Sequence, residues 1–102
     1  MSTLAVETDS LFAKSVEVTE DYLVVDLEDG RKLWVPLAWY PRLQAGNVAE
    51  RNNWRLIGRG EGIHWPDLDE DISTAGLIAG RPSAESHSSL QRWLAGRRAS
   101  ST

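Results

Sequence analysis

The residues with the widest chemical range lie between Gly58 and Ser73. His64 stands beside Trp65, and the run Asp67-Leu68-Asp69-Glu70-Asp71 brings four carboxylates into five positions. An imidazole titrates near neutrality and can act as a general base, given an orienting partner and a nucleophile or metal to serve. The other histidine, His87, lies in a separate segment, and Ser73 sits in Ile72-Ser73-Thr74, without the flanking glycines of a nucleophile elbow. A buried, hydrogen-bonded histidine that locks a loop is the simpler role for His64. A minimal hydrolase centred on His64 and Asp67 is the weakest functional reading.

Oxygen ligands suit calcium or magnesium. Counting from Asp67, however, the sixth and twelfth positions are Ile72 and Ile78, where an EF-hand needs glycine and glutamate. The acids are better explained by Asp69 or Asp71 favouring the positive end of a helix that starts at Ser73. No metal ligand set and no cofactor is expected. Gly58-Arg59-Gly60-Glu61-Gly62 invites comparison with a phosphate loop, but Ile63-His64-Trp65-Pro66 follows it, with neither a helix nor a lysine. A turn or bulge is the expected role.

Five tryptophans accompany a single Phe and a single Met, and Trp34, Trp39, Trp54 and Trp65 are interleaved with Arg31, Arg42, Arg51, Arg55 and Arg59. Such interleaving stacks single-stranded bases in some proteins and forms interface hot spots in others. A short domain with one Phe must also draw core volume from its tryptophans. Most are therefore assigned to the core. The residues expected to contact a partner are Trp39, Arg42, Arg59, His64 and Trp65, with Trp93 further on.

These side chains need elements to position them. Val16 and Val18 alternate with polar residues; Leu23, Val25 and Leu27 oppose Tyr22, Val24 and Asp26; and Leu33-Trp34-Val35 returns until Pro36. Asp29-Gly30 predicts a two-residue hairpin turn between the last two strands. Pro41 is suited to the start of a short helical turn. Asn47 and Glu50 form a capping box for a helix over Val48 to Asn53. Trp54, Leu56 and Ile57 read as a fourth strand, and Ile63-His64-Trp65 as a brief apolar stretch. Ser73 is an N-cap, Ile72 and Leu77 its hydrophobic staple, and Gly80 its stop. Leu90, Trp93 and Leu94 fall at helical spacing in an amphipathic segment from Glu85 to Arg98.

With 102 residues the chain holds one domain, able to bury about 65% of its unfolded surface. The absence of Cys removes thiolate zinc sites, cysteine nucleophiles and disulfides, and fits a reducing cytoplasm. No apolar run approaches the roughly 18 residues of a membrane span. Residues 1–30 carry eight acids against Lys14 alone, 31–80 are balanced, and 81–102 carry four Arg against Glu85. That acidic front argues against nucleic acid as a general partner.

Several of these pieces, in this order, resemble the bacterial domain of unknown function 2442 family. The resemblance rests on Leu27-Glu28-Asp29-Gly30-Arg31, Val35-Pro36-Leu37, Trp39-Tyr40-Pro41-Arg42-Leu43, Arg51-Asn52-Asn53-Trp54, Gly58, and the specific stretch Gly62-Ile63-His64-Trp65-Pro66-Asp67-Leu68-Asp69-Glu70-Asp71-Ile72-Ser73. It covers about residues 14–80. The chain departs from the family pattern at Asn47-Val48-Ala49 and at Ala75, without disturbing the expected helices. The resemblance implies a small α+β domain whose members pair with a small protein encoded beside them, in the manner of toxin–antitoxin systems. It supplies no catalytic residue. Some members carry a helix-turn-helix after this domain, and the stretch beyond Gly80 is too short for one.

The expected architecture is a single α+β domain, with an antiparallel sheet of about four strands and short helices on one face. An arm (1–13) precedes the domain (14–80), and a linker with an amphipathic helix (81–98) and a tail (99–102) follow. The expected function is a non-enzymatic cytoplasmic interaction module, the antitoxin-like or regulatory partner of a small neighbour-encoded protein. A homodimer through residues 81–98 is an alternative assembly. A small-ligand or nucleic-acid binder using the Trp/Arg cluster and the His64 loop is the alternative function.

Overall fold

The computed structural model describes residues 11–100, so the first ten residues of the expected arm and the last two of the tail lie outside it. Strands β1 (Ala13–Val18), β2 (Tyr22–Leu27) and β3 (Lys32–Pro36) form one antiparallel meander. A 3-10 turn (Leu37–Trp39) and two short helices, α1 (Pro41–Ala45) and α2 (Val48–Asn52), lead to a second meander of β4 (Arg55–Ile57), β5 (Gly62–Trp65) and β6 (Glu70–Ser73). Helix α3 (Thr74–Ile78) follows directly, and α4 (His87–Ser100) ends the described chain.

The fold is α+β, as the sequence predicts, but among the described residues the strands number six in two three-stranded sheets rather than about four in one. The two extra strands are the apolar stretch Ile63–Trp65 and the acidic run. The latter hides its strand because only Ile72 is apolar in Glu70–Ser73.

In β2 the alternation works as read, with Leu23, Val25 and Leu27 essentially inaccessible on the inner face. The β2–β3 connection is not the two-residue turn expected of Asp29-Gly30. The Gly30 N–H reaches the Leu27 carbonyl at 3.0 Å and the Leu27 N–H reaches the Arg31 carbonyl at 2.8 Å. With Gly30 at φ +94°, this is a three-residue loop closed by a glycine bulge. Thr19 closes the β1–β2 turn, its hydroxyl accepting the Tyr22 N–H at 2.9 Å.

Both predicted caps are present. Asn47 accepts the Glu50 N–H at 2.8 Å while Glu50 accepts the Asn47 N–H at 2.9 Å. Ser73 accepts the Gly76 N–H at 3.1 Å. Helix α3 stops in a Schellman motif: Gly80, at φ +76°, donates to Leu77, and Arg81 donates to Gly76.

The core lies between the sheets. Ala13, Leu23, Val25, Leu27 and Val35 from the first meet Ile63, Trp65 and Ile72 from the second, joined by Leu68 of the β5–β6 turn, Leu77 of α3, and Leu37, Tyr40 and Leu43. Ala13, the last residue of the expected arm, belongs to β1 and is fully buried. The sheets are joined at the Gly60 carbonyl, which accepts the Ala13 N–H at 2.8 Å and the buried Thr74 hydroxyl at 2.7 Å. Among the described residues no helix is long and apolar enough to cross a membrane.

Candidate functional site

Cross-strand register decides which groups of the acidic run can do chemistry. Ile63 pairs with Ile72, His64 with Asp71 and Trp65 with Glu70. Directly opposed residues share a face, so Glu70 stands beside Trp65 on the core side, and His64 and Asp71 share the outer side. The His64 Nδ1 and the Asp71 carboxylate are hydrogen-bonded across the strands. His64 is thus half-buried on a strand and is not the buried lock of a loop. Asp67 accepts instead from the Asn53 amide at 2.9 Å.

Neither Asp69 nor Asp71 caps a helix, correcting the expectation for both. Asp71 lies within β6, and Asp69 occupies the tight β5–β6 turn at φ +50°, a conformation that Asp tolerates better than most residues. The Asp69 carbonyl and carboxylate both accept from Arg42, at 2.9 and 3.4 Å.

Arg42 is the hub of the most densely charged region. Its Nε and Nη2 bind the Glu85 carboxylate at 2.9, 3.0 and 2.5 Å, and its guanidinium carbon lies 4.9 Å from the centroid of the Trp93 ring. These bonds hold the Glu85 carboxyl below the usual carboxylate range and raise the Arg42 guanidinium further. Arg97 approaches the same Trp93 ring at 4.8 Å and donates to Glu50 at 3.0 and 3.2 Å. The Glu50 carboxyl is lowered by Arg97 first and by the Asn47 N–H second.

Glu70 completes this region and is the group that the sequence reading passed over. Burial pushes its carboxyl up to about 7, against the pull of Arg42 and with further push from Glu85, Asp71 and Asp69. It borders a solvent-open pocket of about 320 Å3 lined by Tyr40, Ser73, Gly76 and residues 81–84. The Tyr40 hydroxyl, raised by burial and then by Glu70, donates to the Arg81 carbonyl at 2.9 Å. Period-two reading inward from Ile72 would have found Glu70, had the run been recognised as a strand.

The expected contact residues fall into different places. Trp65 is fully buried and donates its indole N–H to the Arg51 carbonyl at 3.0 Å, so it is core and not contact surface. Arg42 is committed to internal partners, with only 16% of its side chain exposed. Trp39 and Trp93 are half-buried against the core. Arg59 is exposed and lies over the Phe12 ring at 4.9 Å. Gly58–Glu61 is a turn whose Arg59 N–H already binds the Glu61 carboxylate at 2.9 Å, and Gly62 opens β5. Helix α4 runs from His87 to Ser100, later than the Glu85–Arg98 expected, and rests on its own domain through Trp93 and Arg97. Among the described residues no group of three His, Cys, Asp or Glu side chains could hold a metal ion.

The sequence reading also missed the outer face of the first sheet. Tyr22 and Trp34, 42% and 59% exposed, meet edge to face at 5.5 Å. Val24, opposite Trp34 in the ladder, is buried. Glu17 pairs with Val24 and Asp26 with Ser15 and Lys32, so two carboxylates flank the aromatics, Asp26 being ion-paired with Lys32 at 3.5 Å. The signal was present: Tyr22, Val24 and Trp34 form an apolar set on a face that should be polar.

Two solved structures are similar to the chain. One, a protein of unknown function from Rhodospirillum rubrum, is 27% identical with a TM-score of 0.63, over 74% of this chain and 93% of that one. The other, an uncharacterized protein from Chromobacterium violaceum, is 20% identical with a TM-score of 0.65, over 91% of this chain and 82% of that one. No curated protein matches. The sequence profile described as protein of unknown function (DUF2442) matches residues 13–83, more than half of the chain, and the chain therefore belongs to that family.

Proposed function

We propose that this chain is a non-enzymatic protein-interaction module that works in the cytoplasm as the antitoxin-like or regulatory half of a two-protein system. Its docking surface is the outer face of β1–β3. The observation that carries this reading is the exposed Tyr22–Trp34 pair beside Glu17 and Asp26. Large aromatics left in water on a sheet face are what interface anchors look like before a partner covers them. The flanking carboxylates favour a basic partner and would speed its approach more than they tighten the final complex.

The test is co-expression with the product of the adjacent reading frame. A complex should co-purify, and Trp34→Ala should abolish it while the variant stays folded. Retention of the complex by Trp34→Ala removes this face from the proposal. Self-association through Trp34 is the competing outcome and is read by light scattering of the pure chain. One observation supports a small-ligand or nucleic-acid binder instead: an open cleft of about 830 Å3 lined by Arg92, Trp93 and Arg97 together with Glu50 and Asp67.

A further inference from the structure

We propose that residues 81–100 form a strap that Arg42 fastens over the Glu70 cavity, and that loss of the Glu70 proton releases it. The inference is independent of the docking face proposed above.

The geometry begins with the contacts that hold the segment. The Arg81 carbonyl accepts from the Tyr40 hydroxyl at 2.9 Å, and the Ser83 N–H donates to the Trp39 carbonyl at 3.1 Å. Glu85 binds Arg42, Trp93 lies beside Arg42 and Arg97, and Arg97 reaches Glu50. Apart from the half-buried Trp93, these fastenings are polar. Arg81, Pro82, Ser83 and Ala84 themselves form one wall of the cavity that Glu70 borders.

The elements packed around Glu70, α3 apart, bring charge or a titratable group. Tyr40 precedes α1, and Arg42 lies within it. Asp69 and Asp71 flank Glu70 in sequence, and His64 on β5 is engaged with Asp71. Arg81 and Glu85 come from the strap. Among these acids Arg42 is the shared counter-charge, and Glu85 already takes its Nε and Nη2.

An ionised Glu70 is therefore badly placed while the strap is closed. It sits on the core-facing register position, lines one cavity with residues 81–84, and feels the push of Glu85 as well as the pull of Arg42. Opening the strap hydrates the carboxylate, removes Glu85 from its surroundings and leaves Arg42 free to pair with it. A carboxyl whose pKa is raised in one state favours that state when protonated. The closed form is thus favoured at mildly acidic pH and lost as pH climbs toward the raised value of about 7. Between the ordinary glutamate range and that value, the closed-to-open ratio falls by up to about tenfold per pH unit. Release would uncover Trp39, Arg42 and the inner side of Trp93.

Amide hydrogen exchange on the full chain, corrected for the intrinsic pH dependence of exchange, reads the strap directly. From about pH 5 to about pH 8, protection of Leu90–Leu94 should fall at least roughly tenfold while that of Leu23–Leu27 holds. Glu70→Gln should keep α4 protected across the range. Glu85→Gln should loosen α4 at every pH. A flat wild-type profile overturns the proposal, as does a decline that survives in Glu70→Gln or full α4 protection in Glu85→Gln. If Glu70→Gln does not fold, carboxyl carbon NMR of wild-type Glu70 and the Trp93 indole signal must titrate with one midpoint. Separate midpoints overturn the proposal equally.

Discussion

Trp65 and Arg51 are joined by a hydrogen bond of 3.0 Å from the indole N–H to the backbone carbonyl, which ties the end of β5 to the end of α2. The bond satisfies the one polar atom of the largest fully buried side chain. It also explains how a fold with a single Phe fills its middle: an indole spans the gap between the second sheet and the short helices, and its N–H finds a carbonyl there.

Replacing Trp65 tests that arrangement. Trp65→Ala should lower stability by about 3–5 kcal/mol through the cavity it leaves, a large share of what a domain this size has to lose. Trp65→Phe keeps much of the volume but orphans the Arg51 carbonyl, with a loss of about 1–3 kcal/mol. Urea titration followed by circular dichroism gives both values. Equal stability of Trp65→Ala and wild type would contradict the burial.

Trp34→Ala should behave quite differently. The side chain is mostly in water, and its loss removes one edge-to-face contact with Tyr22 and some cover over Val24. The expected change is about 1 kcal/mol. The same urea titration separates it from Trp65→Ala.

At Gly60 a methyl group is expected to be intolerable. The residue has φ +108°, and a Cβ there would come within 2.2 Å of the Ala13 carbonyl oxygen and 3.0 Å of its nitrogen. Both are backbone atoms and cannot rotate aside. Gly60→Ala should fail to give a cooperative thermal transition. Gly30→Ala, at φ +94° with nothing within 4 Å, meets only the backbone strain of about 1–3 kcal/mol and should still melt cooperatively.

Stability should peak at mildly acidic pH. Glu50 and Glu85 have lowered values in the fold, so their contributions are complete above the ordinary glutamate range and disappear as acid protonates them. Glu70 is raised, so the fold binds its proton more tightly than the unfolded chain does, and stability falls as pH rises toward about 7. The two slopes cross at about pH 5, close to the unfolded glutamate value. A series of melting temperatures from acid to neutral pH checks it. A maximum above neutrality would contradict the Glu70 assignment.

The Glu50–Arg97 pair links α2 to α4 at 3.0 Å, with 21% and 30% of the two side chains exposed. A double-mutant cycle with Glu50→Gln and Arg97→Gln should return a coupling of about 0.3–1 kcal/mol, because solvent screens the pair. Glu50→Ala should lose more than Glu50→Gln, since only the former abolishes the capping box.

What the sequence made legible was local. The β2 alternation, the Asn47–Glu50 box, and the Ser73 cap with its Gly80 stop all depend on residues within a few positions of one another, and all are present. The misses are non-local or masked by composition. Acid-rich Glu70–Ser73 reads as solvated chain until Ile63 and Trp65 pair with it, and only that register turns Glu70 inward. Arg42 looked available to a partner because nothing nearby in sequence announces Glu85 or Trp93. Residue type alone does not report exposure: Arg59 is exposed, whereas Trp39 is half-buried.

The shared carbonyl of Gly60 couples the fates of two meanders that would each leave an apolar face in water if parted. A backbone cut in the link from α1 to α2 would produce two fragments, each a three-stranded ribbon with no cover. Alone they should stay unstructured; mixed, they should recover one native circular-dichroism spectrum by complementation.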